Sequence, residues 1–278
     1  MVRTEPKYRR PLNTSQLNVL KLLYKFRFAD TELLASYGNV SHRRVIFSRI
    51  NILYQQGYIG RHYDSSYRID RKKAVYFLLP KGMKALKGLP DFDTTVINSI
   101  YKDKIASEQF RARCLNIFTI CCKLKAIYGD KIKFCTKSDL VVFDYFPQPP
   151  PDAYIKIKLE TGDGATKHFF LDYYDLATPF FLHRKRIDRY IKYDEEGDWD
   201  VTKTDLPIFL SVSENPTLVK RTLKRMAQAV DDSLYSEAKF YGADLTAITQ
   251  METPTDKLWR LAGETKLIPT EEIIEKAV

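Results

Sequence analysis

The strongest constraint on the fold is a pattern that occurs twice. A short apolar run is followed by an amphipathic segment that begins next to a proline. Residues 168–174 precede Thr178 and Pro179 and the segment FFLHRKRIDRYIKY, and the run PIFLSV precedes Asn215 and Pro216 and the segment TLVKRTLKRMAQAV. Proline is favoured in the first turn of a helix, so helices are expected to begin at these prolines, with Thr178 as the cap of the first one. Short apolar runs are typical of buried strands. This alternation predicts an α/β fold, a sheet covered by helices on both faces.

Further elements are expected on either side of this alternation. Apolar residues recur at intervals of three and four from Ala106 through Phe110 to Leu124, which predicts a long helix over residues 103–128. The pattern of apolar runs and turns places further strands at residues 132–136, 140–146, 154–159 and 245–249. Together with the alternation, these elements define a domain at residues 91–250.

The last residues, 251–278, are predicted to form a helical tail. Ile273, Ile274 and Ala277 share one side of a short helix in the sequence PTEEIIEKAV. That side packs on the body of the protein or contacts a second copy to give a homodimer, and the sequence leaves both open.

Charge separates the beginning of the chain from the rest. Residues 1–90 carry 18 Lys and Arg against five Asp and Glu, whereas the other 188 residues carry 27 against 30. A basic module releases condensed counterions when it lies along a polyanion, so double-stranded DNA is the expected partner of residues 1–90.

The basic domain shows three helix signals followed by two strand signals. Ser15 is expected to cap the first helix, Asp30 the second, which ends at Gly38, and Ser41 the third, which runs to about Gln56. Strands are expected at residues 58–61 and 74–79, before a helix in LLPKGMKAL. The order helix, helix, helix, strand, strand, helix resembles the winged-helix DNA-binding domain, a helix-turn-helix with a β-hairpin wing.

That resemblance implies two DNA-contacting surfaces. The third helix would turn Ile46, Ile50 and Leu53 inward and present its first turn to the major groove, while the wing would reach phosphates or a minor groove. The candidate DNA-binding residues are Ser41, His42, Arg43, Arg44, Arg49, Arg61, Arg68, Arg71, Lys72 and Lys73. Winged helices also dock proteins, and a charged run is often only a solvated face.

Two acids in the second domain stand in a nuclease-like order. Pro151 and Asp152 begin one predicted strand, Asp172 lies in the next, and Glu108 lies on the preceding helix. This arrangement resembles the PD-(D/E)xK nuclease fold, also called the restriction-endonuclease fold, in which a mixed sheet flanked by helices presents two acids that hold Mg²⁺. The resemblance makes Asp152 and Asp172 the candidate metal ligands.

The catalytic set expected of such a nuclease is incomplete in this chain. Two residues after the second acid the fold carries a lysine on the same side of the strand, and here that position is Tyr174. A neutral phenol neither orients a water nor offsets charge on a phosphate. The helix predicted in FFLHRKRIDRYIKY could supply the cation from Lys185, Arg189 or Lys192. A solvated helix face is the simpler explanation of this basic stripe. The degenerate catalytic candidates are Glu108, Asp152, Asp172 and Lys185. No cofactor is expected to be required, and Mg²⁺ is the candidate if the two acids hold a metal.

Other chemistry and a membrane location are not indicated. The cysteines form no CxxC pair, three of the four lie in a predicted helix, and buried reduced thiols are expected. The four histidines are scattered, so no zinc cluster is visible. The sequence lacks a signal-like N-terminus and a long apolar span, which predicts a soluble, cytoplasmic protein.

The order of motifs over residues 10–250 resembles the replication-relaxation family of plasmid and other mobile-element proteins. The strings that carry the resemblance are PDAYIKI, KHFFLDYYDLATPF, LHRKRIDRYIKY and LPIFLSVSENPTLVKRTLKRM. It implies a role in plasmid replication or DNA relaxation, with replication or relaxation proteins of the same element as partners. The chain has Asp172-Tyr-Tyr-Asp175 where the family commonly shows Glu-x-Asp followed by a basic residue.

Three functions are therefore weighed. A DNA-binding accessory or regulatory protein of a mobile element predicts salt-sensitive binding without chemistry. A metal-dependent nicking endonuclease predicts cleavage that depends on Asp152 and Asp172. A winged-helix interaction scaffold predicts neither and places the basic face against an acidic protein.

Overall fold

The computed structural model describes residues 11–40, 42–64, 72–87, 89, 92–159 and 165–275. The chain divides into two compact units, Met1–Ile105 (unit 1) and Ala106–Val278 (unit 2). The sequence places this boundary at residue 90, before a short helix that belongs to unit 1 in the structure. Among the described residues, no helix is both long and apolar enough to cross a membrane.

Unit 1 consists of short helices and one antiparallel strand pair. Its elements are α1 (Thr14–Phe26), α2 (Thr31–Tyr37), α3 (Arg43–Gln55), β1 (Ile59–His62), β2 (Val75–Leu78), α4 (Pro80–Leu86), α5 (Thr94–Ile100) and a 3-10 turn (Tyr101–Ile105). Strands β1 and β2 pair in the register Ile59 with Leu78 through His62 with Val75.

Local hydrogen bonds explain where the helices of unit 1 begin. Asp30 caps α2 as predicted, because its carboxylate accepts from the Leu33 amide at 2.8 Å. The predicted cap of α1 is wrong: Asn13 rather than Ser15 accepts from the Gln16 amide, at 2.9 Å, and the Gln16 side chain accepts in return from the Asn13 amide at 3.1 Å. His42 is the cap residue of α3, and Ser41 lies outside the described residues.

The core of unit 1 is built from the inner faces of α1 and α3. The predicted inward stripe of α3, Ile46, Ile50 and Leu53, is confirmed as buried. Helix α3 ends before Gly57, whose φ of 73° is readily adopted only by glycine. A Cβ atom at Gly82 would lie 2.3 Å from the carbonyl oxygen of Tyr58, so α4 packs closely on the chain at this point because residue 82 is a glycine.

Unit 2 contains helices and strands in alternation. Its elements are α6 (Glu108–Tyr128), a 3-10 turn (Gly129–Lys131), β3 (Ile132–Thr136), α7 (Lys137–Leu140), β4 (Ala153–Lys158), β5 (Thr166–Tyr173), α8 (Phe180–Glu195), a 3-10 turn (Asp198–Thr202), β6 (Ile208–Ser213), α9 (Pro216–Asp231), β7 (Phe240–Asp244), α10 (Leu245–Gln250), β8 (Lys257–Leu261), β9 (Leu267–Pro269) and α11 (Thr270–Glu275).

The strands form one mixed sheet of seven in the order β3-β4-β5-β6-β7-β8-β9. The three central strands, β5, β6 and β7, are parallel, and antiparallel pairs extend the sheet at both edges. Helices α8 and α9 lie against one face, over a core that includes Phe170, Tyr190 and Phe209. Helix α6 contacts β3 and β5. The predicted α/β class, with a mixed sheet flanked by helices, is confirmed.

Several predicted boundaries in unit 2 are wrong. Helix α6 begins at Glu108, capped by Ser107, so Phe110 lies in its exposed first turn rather than in the buried stripe. The cap of α8 is Pro179, which makes no side-chain cap hydrogen bond, and not Thr178. Residues 140–146 form no strand, because the Asp139 carboxylate accepts from the Thr136 amide at 2.7 Å and starts helix α7 instead.

The end of the chain also differs from the prediction. Residues 245–249 lie in helix α10, and the strand precedes them as β7. The predicted helical tail instead contributes strands β8 and β9 to the sheet before helix α11. Ile273 and Ile274 are buried in unit 2, and Ala277 lies outside the described residues.

Candidate functional site

Two buried carboxylates meet where β4 begins and β5 ends. Ala153 pairs with Leu171 in the antiparallel register of β4 and β5, so Asp152 and Asp172 are neighbours. The Asp152 amide donates to Oδ1 of Asp172 at 3.1 Å. Both side chains are almost fully buried, and isolated buried carboxylates are costly, so each requires a partner.

Three cationic side chains from three different helices neutralise these carboxylates. Arg113 of α6 lies 2.5 Å from Oδ2 of Asp152, and Lys137 of α7 lies 2.8 Å from Oδ1. Arg186 of α8 ion-pairs with Asp172 and lies 3.5 Å from Asp152. We refer to the set of five as the ion cluster: Arg113, Lys137, Asp152, Asp172 and Arg186.

Every carboxylate oxygen of the ion cluster accepts at least one hydrogen bond or ion pair. Besides Arg113, Oδ2 of Asp152 accepts from the Tyr173 amide at 2.8 Å. Oδ2 of Asp172 accepts from the Tyr190 hydroxyl at 2.7 Å. The two carboxylates are therefore fully paired, the condition under which buried negative charge is tolerated.

The charged groups of the ion cluster strongly shift one another's pKa values. Burial would raise the pKa of Asp152, but Arg113, Arg186 and Lys137 outweigh burial and hold that pKa well below its ordinary value of 3.8. Burial would lower the pKa of Arg186, but Asp152 and Asp172 outweigh burial and raise that pKa well above its ordinary value. At neutral pH these two groups are a carboxylate and a guanidinium.

These residues do not fit a divalent metal ion. Hard cations need carboxylate oxygens directed at the ion, whereas the oxygens of Asp152 and Asp172 already accept from cations and from N–H and O–H groups. A dication at this point would also face three positive side chains. No group of three or more acids, histidines and cysteines suited to a metal occurs in the described part of the chain.

The other nuclease candidates lie at the end of β5 and on helices α6 and α8. Tyr174 is fully buried, burial raises its pKa, and its hydroxyl has no hydrogen-bond partner among the described residues. Lys185 lies on the exposed side of α8. Glu108 is in the first turn of α6 and lines a separate small pocket with Arg113 and Tyr173. Lys192 pairs with Glu196 at 3.3 Å on the surface.

The predicted DNA-binding residues of α3 lie on its outer side. His42, Arg43 and Arg44 are exposed at its start, and Arg49 is half-buried. Large apolar side chains share this exposure: Val45, Phe47, Ile52 and Tyr54. Phe47 is 58% exposed, an unusual position for a phenylalanine in a helix whose inner face is well packed.

The remaining candidates lie near the strand pair. The guanidinium of Arg61 stacks on the rings of Tyr54 and Tyr63, at 4.8 and 5.1 Å. Lys72 and Lys73 are exposed, and Lys73 pairs with Glu32, which also lies 3.2 Å from Arg43. Arg68 and Arg71 lie outside the described residues.

Sequence reasoning missed Arg113, Lys137, Arg186 and Tyr190. One signal could have found two of them: the inward stripe of α8 contains His183, Ile187 and Tyr190, and Arg186 lies within it. An arginine on a buried stripe needs an acid opposite it. Arg113 and Lys137 lie on elements far away in the sequence, and no local pattern marks them.

No protein-family model matches the chain, and a search of curated proteins found no significantly similar sequence. The resemblance to the replication-relaxation family therefore stays a prediction from the order of sequence motifs.

Proposed function

We propose that the chain is a DNA-binding accessory or regulatory protein of a plasmid or other mobile element, acting in replication, DNA relaxation or transcription control. In this proposal unit 1 is a winged helix that binds duplex DNA. Unit 2 has a nuclease-like fold and serves as a binding or assembly platform for other replication or relaxation proteins of the same element. The observation that carries the proposal is the exposed outer face of α3.

The outer face of α3 suits a DNA groove. The helix has 13 residues and is about 20 Å long, and the major groove, roughly 12 Å wide, admits a helix. Arginines read guanine edges there, and apolar side chains contact thymine methyl groups. Arg43, Arg44 and Phe47 combine both kinds of group on the exposed side of α3.

The ion pairs on this surface do not oppose DNA binding. Glu32 pairs with Arg43 and Lys73, and all three side chains are about half exposed or more. Exposed pairs contribute little, typically up to about 1 kcal/mol, because water and salt screen them. DNA phosphates can therefore replace Glu32 as the partner of either cation at small cost.

The proposal predicts that Arg43→Ala/Arg44→Ala weakens binding to duplex DNA and relaxes its sequence preference. A lost base contact costs about 1–3 kcal/mol, so the double variant should bind a selected site at least tenfold more weakly. Fluorescence anisotropy with a site selected from random duplexes measures this change. The matched control is Lys84→Ala/Lys87→Ala, which removes two exposed cations after β2; equal losses in both variants would contradict a specific role for α3.

The connection between β1 and β2 gives a second prediction. If Lys72 and Lys73 contact phosphates as a wing, Lys72→Ala/Lys73→Ala should weaken all duplexes alike. It should also reduce the slope of log affinity against log salt by roughly 0.9 for each lost phosphate contact. Titrations at several salt concentrations give the slope, and a slope equal to that of the parent would exclude these lysines from the interface.

A further inference from the structure

A basic cleft opens beside the ion cluster, within unit 2. It has a volume of about 750 Å³. Its cationic lining residues are Arg113, Lys137, Lys185, Arg186 and Arg189. Among the described residues that line it, Asp175 is the one carboxylate. A concave surface with this excess of positive charge attracts an anion.

The surplus charge of the cleft belongs to two residues of α8. Arg113, Lys137 and Arg186 are matched by Asp152, Asp172 and Asp175, with Arg113 2.9 Å from Asp175. His183 adds no charge at neutral pH, because burial lowers its pKa below 6.5. Lys185 and Arg189 remain. They are four residues apart on α8 and therefore on the same side of the helix.

Two arginines that line the cleft carry buried guanidinium nitrogens without a partner among the described residues. Nε of Arg186 and both Nε and Nη2 of Arg189 are buried, and none has a hydrogen-bond partner among the residues that the structure describes. A buried donor without an acceptor is energetically unfavourable. An anion with several acceptor oxygens would satisfy such donors, and phosphate provides them in the geometry that arginine prefers.

The start of α8 adds a further source of positive potential. Thr178, Leu182 and His183 line the cleft, and α8 is 16 residues long with no side-chain hydrogen bond from its cap residue, Pro179. The N-terminus of a helix carries partial positive charge and amide donors, which favour phosphate.

Apolar groups complete one side of the cleft. Phe110 and Leu182 line it and are 38% and 43% exposed. Bases stack on exposed aromatic rings beside cations, which is the usual way in which single strands are held. The volume lies within the roughly 300–1,000 Å³ of small-ligand sites, enough for a nucleotide and too small for a double helix.

We infer that this cleft binds a nucleotide phosphate at the end of a nucleic-acid strand, with the phosphate between Lys185 and Arg189 and the base against Phe110. The phosphate site stands on unit 2 alone. The choice of a strand end over a free nucleotide rests on the DNA-binding function proposed above. Binding requires no metal and no bond is broken.

Calorimetric titration of the full chain without metal tests the inference. The first ligands are short single-stranded oligothymidylates that carry a phosphate at the 5′ end or at the 3′ end. The others are the same strand with hydroxyl ends, thymidine monophosphate and inorganic phosphate. A phosphorylated strand should bind at least about tenfold more tightly than the hydroxyl strand. Lys185→Gln/Arg189→Gln should remove that preference. Lys192→Gln, a change on the same helix at a residue that does not line the cleft, should keep it.

The outcomes separate the sources of the phosphate. Equal binding of the two strands, or an unchanged preference in Lys185→Gln/Arg189→Gln, overturns the inference. Thymidine monophosphate that binds as tightly as the phosphorylated strand overturns the assignment to a strand end. Duplex binding is measured on the same samples: if the proposed function fails, the parent lacks duplex binding but keeps the preference for a terminal phosphate, whereas failure of the inference leaves duplex binding intact.

Discussion

Replacing Arg186 with methionine should lower the free energy of unfolding of the protein by about 3–5 kcal/mol at neutral pH. The methionine keeps much of the volume of the side chain but leaves Asp172 with only the Tyr190 hydroxyl and the Asp152 amide as donors among the contacts described above. A buried carboxylate that loses its cation bears its desolvation cost without compensation. Chemical denaturation followed by circular dichroism measures the change.

Two control variants separate the charge effect from a general effect on α8. Arg184→Met changes an exposed arginine of the same helix and should alter stability by less than about 0.5 kcal/mol. Arg186→Lys keeps the charge but not the length and planar shape of the guanidinium, whose Nη2 lies near both acids, so its stability should fall between those of the parent and Arg186→Met. A loss in Arg184→Met as large as that in Arg186→Met would contradict the role of the ion cluster.

The stability difference between the parent and Arg186→Met should shrink as the solution is acidified. In the parent the pKa of Asp152 is held well below 3.8, so its contribution is present above 3.8 and is lost only as pH falls through the lower folded pKa. Without Arg186 the folded pKa of Asp152 rises, so the variant takes up a proton at higher pH and relieves part of its penalty. A difference that stays constant as the pH falls from 7 to below 3.8 would argue against this linkage.

The sequence predicts those elements whose determinants are local. Asp30 caps α2 as expected, and α9 begins at Pro216, where the sequence places the start of a helix, with Asn215 as its cap. In both cases a short polar side chain before a helical pattern accepts from the helix's own first amides. The inner stripe of α3 follows from its spacing alone. Residues 140–146 were mispredicted because Val141, Val142 and Phe143 resemble a strand in composition, yet the capping interaction of Asp139 turns the chain and leaves all three exposed.

Elements that depend on distant partners are harder to predict. Strand β8 is stabilised by pairing with β7 and β9, and the indole of Trp259 donates to Thr270 at 2.9 Å in the interior. None of these contacts is visible in a five-residue segment. The same is true of the candidate functional site. Its two acids are recognisable by their order along the chain, whereas the cations that neutralise them come from three helices and meet only in the folded protein.

Supercoiled plasmid incubated with the purified protein and Mg²⁺ should remain supercoiled. The carboxylates that would hold the metal are engaged by Arg113, Lys137 and Arg186, and Tyr174 replaces the expected lysine. Since enzymes typically accelerate their reactions by 10⁶-fold or more, an active site here would convert the plasmid to nicked circles while the expected protein leaves it at background. Agarose gels over a range of Mg²⁺ and Mn²⁺ concentrations distinguish the two.

Lys137 is the residue most able to prove this prediction wrong. Its ammonium lies 2.8 Å from Asp152, so a lysine does reach the acids, although from α7 rather than from the strand. If the metal displaced Arg113 and Arg186, Lys137 would stand where a nuclease needs a cation beside the attacking water. Nicking by the parent that disappears in both Asp152→Asn and Asp172→Asn would establish that displacement and make the protein an endonuclease. Nicking that persists in both variants would instead identify a contaminating enzyme, because the reaction would not depend on either acid.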